Sequence, residues 1–293
     1  MSALRPMLHA IRARYSCRTY RTQPIAPQAQ VALGAVAAAS TVGPLGTTAR
    51  FEVIAAVEGD PRALRGLGTY GFITNPTGFI LGAAAAGPYA LEDYGYLMEG
   101  LVLKATSLGL GSCWLGGSFT RSRFAARLAL DHDELMPAVV AIGYPDGARR
   151  NQDRLIRTVA AGDRRLPWSH LFFDGGWSTS LAPEAVGPYA EPLELLRIAP
   201  SASNKQPWRI VRTPGAWHFY LQRTPNYPPA VGRLLLRIAD LQRSDMGIAM
   251  CHWAIGTSEL GLAGQWLVED PGVPTPDDLT SYTVTWMEAD GAD

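Results

Sequence analysis

The chain has 293 residues, of which 47% are hydrophobic and 18% are charged, and its 26 basic residues balance 26 acidic ones. This length favours one large domain or two smaller modules, and the apolar fraction is that of a packed protein rather than a disordered one. Because the net charge is zero, no long-range field favours nucleic acid or a membrane surface, and neither is an expected partner.

The cysteines and histidines argue against two further kinds of site. Cys17, Cys113 and Cys251 lie far apart and form no Cys-x-x-Cys pair, so neither a disulfide framework nor a zinc site is expected. The five histidines show no metal-ligand spacing. No signal sequence and no apolar run near the roughly 20 residues that span a bilayer are found, so the expected location is cytoplasmic.

Hydrophobic periodicity and turn residues predict a series of helices and strands. In chain order these are a short amphipathic helix around 7–11, a strand at 51–56, a long helix stopped by Gly109, a strand at 137–143, a helix around 193–196, a hairpin of strands 209–213 and 217–221, and a strand at 282–287. This order is typical of an α+β fold rather than a βαβ series. The stretch 151–192 lacks sustained periodicity and is predicted to hold a linker.

The chain contains an internal repeat at an offset of 152 positions. The stretches 93–114 and 245–266 match without a gap at Asp, Gly, Leu, Gly, Leu and Trp. A common habit of ending helices with glycine explains part of such a match, but the ungapped register favours duplication. We therefore predict two halves, 1–165 and 166–293.

The first segment suited to ligand binding is Arg14-Tyr-Ser-Cys-Arg18. In an extended backbone, Arg14, Ser16 and Arg18 point to one side. Two guanidiniums and a hydroxyl suit a phosphate, because forked donors match its oxygens. The alternative for this pentapeptide alone is a solvated basic loop.

The second and third segments are 199–208, with the sequence Ala-Pro-Ser-Ala-Ser-Asn-Lys-Gln-Pro-Trp, and the glycine-rich stretch 109–117. The polar side chains of the former, on a turn fixed by two prolines, suit the edge of a heterocycle; the alternative is a turn that caps its own backbone. The glycines of the latter allow backbone amides to approach a flat ring; the alternative is a helix cap followed by a bulge. They do not form the Gly-x-Gly-x-x-Gly pattern of a dinucleotide fold.

Taken together, the three segments resemble the FMN-dependent nitroreductases. That family shows Arg-x-Ser-x-Arg/Lys after its first helix, Ala-Pro-Ser-x-x-Asn-x-Gln-Pro-Trp before a strand, and Leu-Gly-Leu-Gly-Ser-Cys-Trp-x-Gly-Gly near the middle. In ordinary members the Pro-Ser-Asn motif follows the Arg-Ser motif closely. Here the stretch 39–46 lacks its Asn and Gln, and a good copy appears only at 199–208, in the half without an Arg-x-Ser-x-Arg.

This arrangement is similar to fused, double-domain nitroreductases. The resemblance implies a nitroreductase-like α+β fold in which two tandem copies form an intramolecular pseudo-dimer. It implies a monomer in solution with one FMN between the halves, because family members bind FMN at the interface of a homodimer.

The resemblance also implies the flavin ligands, which are distributed over both halves. The expected set for the ribityl phosphate is Arg14, Tyr15, Ser16, Arg18, Arg164 and Arg165. The expected set for the isoalloxazine is Pro200, Ser201, Ser203, Asn204 and Gln206, with the backbone of Gly116 and Gly117 at flavin N5.

The reaction that the resemblance implies is a ping-pong transfer. NAD(P)H reduces FMN, and a nitroaromatic, a quinone or a similar small acceptor then collects the electrons, without a catalytic side chain. Two alternatives remain open from the sequence: another flavin reaction on the same fold, and a non-catalytic flavin-holding or regulatory protein.

Overall fold

The computed structural model describes residues 6–56, 64–69, 71–117, 119–147, 164–227 and 239–289. Within these ranges the α-helices are α1 Pro6–Ala13, α2 Pro27–Ala39, α3 Ala90–Ser107, α4 Arg121–Leu128, α5 Ala190–Arg197 and α6 Leu241–Leu260. The strands are β1 Ala49–Ala55, β2 Gly78–Ala85, β3 Gly111–Leu115, β4 Glu134–Leu135, β5 Val139–Gly143, β6 Phe172–Asp174, β7 Trp208–Thr213, β8 Ala216–Gln222, β9 Gly264–Leu267 and β10 Thr280–Glu288. None of the described helices is long and apolar enough to cross a bilayer.

The strands form two five-stranded sheets with the same central order. The first is β1-β2-β5-β3 with β4 added to β2, and the second is β6-β7-β8-β10-β9. All neighbours in β1-β2-β5-β3 and in β7-β8-β10-β9 pair antiparallel. Strand β6 joins β7 in parallel. The predicted α+β class is confirmed, and the shared order extends the repeat seen in the sequence.

Helices α3 and α6 pack against each other through reciprocal glycine contacts. A Cβ atom on Gly95 would overlap the carbonyl oxygen of Ser244, and one on Gly247 would overlap the carbonyl oxygen of Glu92. Gly247 lies 152 positions after Gly95, and Ser244 lies 152 positions after Glu92. The same contact is therefore made twice with the partners exchanged, which is the pattern of an isologous interface.

Several predicted turns and helix ends lie where the sequence placed them. The β7–β8 hairpin turns at Pro214-Gly215, and Gly215 has a φ of 73°. Helix α3 is capped at Leu108, and Gly109 follows with a φ of 78°. Both glycines adopt a left-handed conformation that costs other residues about 1–2 kcal/mol.

The predicted linker lies within 151–192, and the described part of that stretch, 164–192, contains regular structure. Residues 148–163 lie outside the described residues, but β6 pairs with β7, and Leu171, Phe172 and Leu181 are buried in the core of the second sheet. A three-residue strand flanked by short 3-10 turns produces no periodicity in a sequence window, which is why it was missed.

Candidate functional site

One cleft is lined by residues that lie far apart in the sequence. Its main cavity, of about 320 Å³, is bounded by the segment after α1, the end of β3, the loop before β7 and the first turns of α6. A second cavity of about 400 Å³ shares Arg18, Cys113, Trp114 and Ser203 with it and extends to Phe72. Ligand pockets usually measure about 300–1,000 Å³, so the two together are large enough for a cofactor-sized molecule.

The segment Arg14–Arg18 runs along β3 in the predicted extended form. Ser16 forms a bridge to Ser112, and the N–H of Cys17 donates to the Ser112 carbonyl oxygen at 2.8 Å. Cys17 is buried, whereas Ser16 and Arg18 line the cavity. The alternation of side chains along the segment therefore directs a hydroxyl and a guanidinium toward the cleft.

Arg14 and Tyr15 do not line the cavity. Tyr15 packs against the apolar cluster around Phe79 and Phe124. Burial lowers the pKa of the half-buried Arg14, and the nearby charge of Glu99 opposes this effect. Its Nε has no hydrogen-bond partner among the described residues.

The loop before β7 has an unusual backbone. Ser203, Asn204 and Gln206 have φ values of 50°, 54° and 49°, in a region that non-glycine residues seldom occupy. Ser201 Oγ accepts a hydrogen bond from the Gln206 N–H at 2.9 Å, so the loop partly caps itself. Pro200, Ser201 and Ser203 line the cavity. Clustered backbone strain of this kind is common at ligand sites.

Two further residues of this loop, Asn204 and Gln206, do not line the cavity. Their side chains bond instead to the segment 164–166, which contains Arg164 and Arg165. Arg165 Nη1 donates to Asn204 Oδ1 at 3.1 Å, and Asn204 Nδ2 donates to the Arg164 carbonyl oxygen at 2.8 Å. Gln206 Oε1 accepts from the Leu166 N–H at 2.8 Å. The amides thus fasten the 164–166 segment to the loop, and their role toward a ligand stays a prediction.

The glycine-rich stretch after β3 contributes Gly116 and Gly117 to the cavity wall. Gly116 lies against Leu241, the first residue of α6, where a Cβ would crowd the leucine side chain. The end of β3 in the first half and the start of α6 in the second half therefore meet at the cleft.

The sequence analysis missed two polar residues near the start of α6. Ser244 and Asp245 line the cavity with 3% and 2% of their surface exposed. Asp245 Oδ1 accepts from the Ala202 N–H at 2.9 Å, whereas Asp245 Oδ2 and Ser244 Oγ have no hydrogen-bond partner among the described residues. Burial raises the pKa of the Asp245 carboxyl well above its ordinary value. Asp245 entered the sequence analysis only as a repeat position, but an acid in a buried helix turn was an available signal.

The counterpart of Asp245 in the repeat is fully bonded. Asp93 accepts from the Leu45 N–H at 2.9 Å with Oδ1 and from the Thr47 N–H at 2.7 Å with Oδ2. The loop around Leu45 thus closes over Asp93, and Leu45 packs against the core of the second sheet. Of these two equivalent carboxyl groups, that of Asp93 accepts hydrogen bonds from backbone N–H groups with both oxygens. That of Asp245, beside the cavity, does so with only one among the described residues.

The described residues offer no metal site. Among them no group of three or more His, Cys, Asp or Glu side chains could hold a metal ion. All three cysteines are buried free thiols.

A solved structure with a similar fold is a putative nitroreductase. The chain matches a putative nitroreductase of Thermotoga maritima with a TM-score of 0.58 and 17% identity, covering 96% of this chain and 93% of that one. Two nitroreductases with bound FMN, from Bacteroides fragilis and Desulfitobacterium hafniense, share 22% and 21% identity with the present chain. The matches cover 48% and 49% of this chain and 88% and 91% of those chains, with TM-scores of 0.38 and 0.39. The fold is nitroreductase-like.

The family follows from the sequence itself. Residues 6–257 match the profile of the family described as Putative TM nitroreductase. A search of curated protein sequences finds no match. Because the profile spans most of the chain, the chain belongs to this nitroreductase family and to the general class of oxidoreductases.

Proposed function

We infer that the chain is an FMN-dependent oxidoreductase of the nitroreductase type. The observation that carries this proposal is the single cleft in which Ser16 and Arg18, near the start of the chain, meet the loop at 200–203, beyond its midpoint. Membership of the nitroreductase family supports the reaction class.

The donor and acceptor groups of the cleft fit FMN. Arg18 and Ser16 offer a charge and a hydroxyl for the phosphate, because charge-assisted hydrogen bonds are the strong ones. Trp114 and Ile248 offer apolar surface to a flat ring, and Asp245 Oδ2 offers a buried acceptor that has no partner within the described part of the chain. When bound, FMN would supply hydride chemistry at N5, which neighbouring hydrogen-bond donors tune.

The remaining predicted ligands are proposed in the same roles. Arg14, Tyr15, Arg164 and Arg165 would complete the phosphate cradle around the cavity residues. Asn204 and Gln206 would support the ring, and their bonds to the 164–166 segment favour a positioning contribution. The backbone amides of Gly116 and Gly117 would face the reacting edge of the ring.

The proposed donor is NAD(P)H, and the proposed acceptor is a nitroaromatic, a quinone or a similar small molecule. The extension of the cleft toward Phe72, whose ring is largely exposed, supports a place for a planar acceptor beside the flavin cavity. No side chain is assigned a nucleophilic role.

The two halves, 1–165 and 166–293, are proposed to act as a pseudo-dimer within a monomer that binds one FMN. The reciprocal contacts of α3 and α6 and the shared strand order support the pseudo-dimer. The closed loop over Asp93 supports a single site. The buried free thiols fit a reducing compartment, and we propose a cytoplasmic location.

An anaerobic titration of the purified yellow protein with NADH and with NADPH tests this function. The expected result is one FMN per chain, bleached by at least one nicotinamide and reoxidised by a quinone or nitroaromatic. A saturated flavin content near two per chain contradicts the single site. A bound flavin that neither nicotinamide reduces contradicts the reaction.

A further inference from the structure

A buried hydrogen-bonded chain connects the two long helices to the wall of the cleft. Glu99 of α3 and His252 of α6 are both fully buried, and His252 Nε2 lies 3.1 Å from Glu99 Oε1. Trp114 Nε1 donates to Glu99 Oε2 at 2.8 Å. Trp114 lines both cavities of the cleft and packs against the cores of both halves.

The Leu195 carbonyl oxygen, at one end of this hydrogen-bond network, determines which atoms of the network donate. His252 Nδ1 lies 2.9 Å from the carbonyl oxygen of Leu195, which only accepts, so Nδ1 carries a hydrogen. His252 Nε2 and Glu99 Oε1 then share one further proton, and a hydrogen bond joins them whichever atom holds it. Both oxygens of Glu99 are occupied, so the carboxyl group is held in one orientation.

The repeat shows that these hydrogen bonds form beside only one of the two equivalent tryptophans. The position equivalent to Glu99 is Cys251, and the position equivalent to His252 is Gly100. The equivalent of Trp114 is Trp266, whose Nε1 is buried without a hydrogen-bond partner among the described residues. An indole at this position is therefore accommodated in the fold without an acceptor from the described residues.

We propose that Glu99 and His252 are positioning residues that hold the Trp114 indole as a fixed wall of the flavin cavity. The pair joins one helix from each half. It lies beside Trp114, which lines the cleft, and its equivalent beside Trp266 is replaced by Cys251 and Gly100. Fold packing does not require it, since the equivalent tryptophan lacks it. The part of this proposal that concerns flavin rests on the proposed function.

The test combines an indole resonance with FMN affinity. In flavin-free, 15N-labelled protein, the Trp114 Nε1–H resonance is identified by its loss in Trp114→Phe. Glu99→Gln is expected to shift this resonance, because an amide replaces the carboxyl group that accepts the hydrogen bond from the indole. It is expected to weaken FMN binding by roughly threefold to tenfold in fluorescence titrations. In a Trp114→Phe background, Glu99→Gln is expected to cause no further loss, since its effect passes through the indole.

Trp266→Phe is the matched control and is expected to leave FMN affinity unchanged. An unmoved Trp114 resonance in Glu99→Gln, or an equal loss of affinity with and without Trp114, overturns the proposal. His252→Asn, which shortens the side chain that contacts Glu99, is expected to shift the same resonance. This variant serves if Glu99→Gln does not fold, and an unmoved resonance there also overturns the proposal. If the wild-type chain binds no FMN, the proposed function fails, while the resonance still decides whether the pair holds Trp114.

Discussion

Replacing Asp245 by Asn separates ligand binding from stability at one buried atom. Asp245 lines the cavity and is 2% exposed; its Oδ2 has no hydrogen-bond partner among the described residues, while Oδ1 accepts from the Ala202 N–H. An asparagine keeps the acceptor for Ala202 and places an amide NH₂ where Oδ2 was. A ligand that donates to Oδ2 would then face a donor instead of an acceptor.

Asp245→Asn is expected to lower FMN affinity without lowering the stability of the protein. A hydrogen bond to a charged group contributes about 1.5–3 kcal/mol, so FMN affinity should fall roughly tenfold to 150-fold in Asp245→Asn. The flavin-free Asp245→Asn protein should be as stable as wild type or more stable near neutral pH. There the wild type must either bury an unpaired charge or hold a proton above the ordinary pKa of an aspartate, whereas an amide needs neither. Asp93→Asn is the matched control. It places an NH₂ against the Leu45 or Thr47 N–H and should destabilise the protein by about 1–3 kcal/mol, with FMN affinity unchanged.

The pH dependence of stability gives an independent measure of the same group. Burial raises the pKa of Asp245 above its ordinary value of 3.8, against the opposing hydrogen bond from Ala202. The folded state therefore keeps this proton at pH values where the unfolded chain has lost it. The resulting stability is fully present below pH 3.8 and is lost as pH rises through the folded pKa, at up to about 1.4 kcal/mol per pH unit. Asp245→Asn should remove this component.

The assays are fluorescence titration of FMN and urea unfolding of the flavin-free protein between pH 4 and 8. Equal FMN affinity in Asp245→Asn and wild type would refute the assignment of Oδ2 to a ligand. A loss of affinity in Asp93→Asn as large as that in Asp245→Asn would refute the asymmetry between the two carboxyl groups.

Four other substitutions test the remaining parts of the structure. Arg18→Ala should weaken FMN binding by about 1.5–3 kcal/mol in the same titration, and unchanged affinity would remove Arg18 from the phosphate site. Asn204→Ala should also weaken FMN binding, although it lies in the other half, and normal affinity with normal turnover would contradict a site shared between halves. Gly247→Ala should destabilise the protein by at least about 2 kcal/mol in urea unfolding, because its Cβ overlaps the carbonyl oxygen of Glu92. Gly100→Ala, where no heavy atom lies within 4 Å, should stabilise it by about 0.5–1 kcal/mol; equal effects of the two glycine variants would contradict the close helix crossing.

Local signals in the sequence predicted much of the fold. Helix α3, the β7–β8 hairpin and strand β10 follow from periodicity and from glycine at a turn or cap. The parallel pairing of β6 did not follow, because a three-residue strand is defined by its partner rather than by its own pattern. The class of fold was predictable because an antiparallel α+β arrangement is encoded in the order of its elements.

The candidate site was predictable in part. The alternation in Arg14–Arg18 indicated that Ser16 and Arg18 share a side, and both line the cleft. The bonds of Asn204 to the 164–166 segment depend on contacts about 40 positions away and have no local signature. Asp245 and Asp93 occupy equivalent positions in the repeat, and the closure of a distant loop over Asp93, which has no local signature, distinguishes their hydrogen bonding.

The reciprocal packing of α3 and α6 makes the repeat an internal control for buried polar groups. Since Gly95 and Gly247 make the same contact with exchanged partners, the packing demands on equivalent positions are closely similar. Stability of the fold therefore does not readily explain a buried polar group that only one copy keeps, or that only one copy leaves without a partner. A buried charge adds little to stability. The carboxyl groups of Glu99 and Asp245 both meet this condition: Glu99, on α3, contacts the cleft wall through Trp114, and Asp245, on α6, lines the cleft. We infer that the chain's functional asymmetry resides in these two carboxyl groups as much as in the arginines that the sequence made conspicuous.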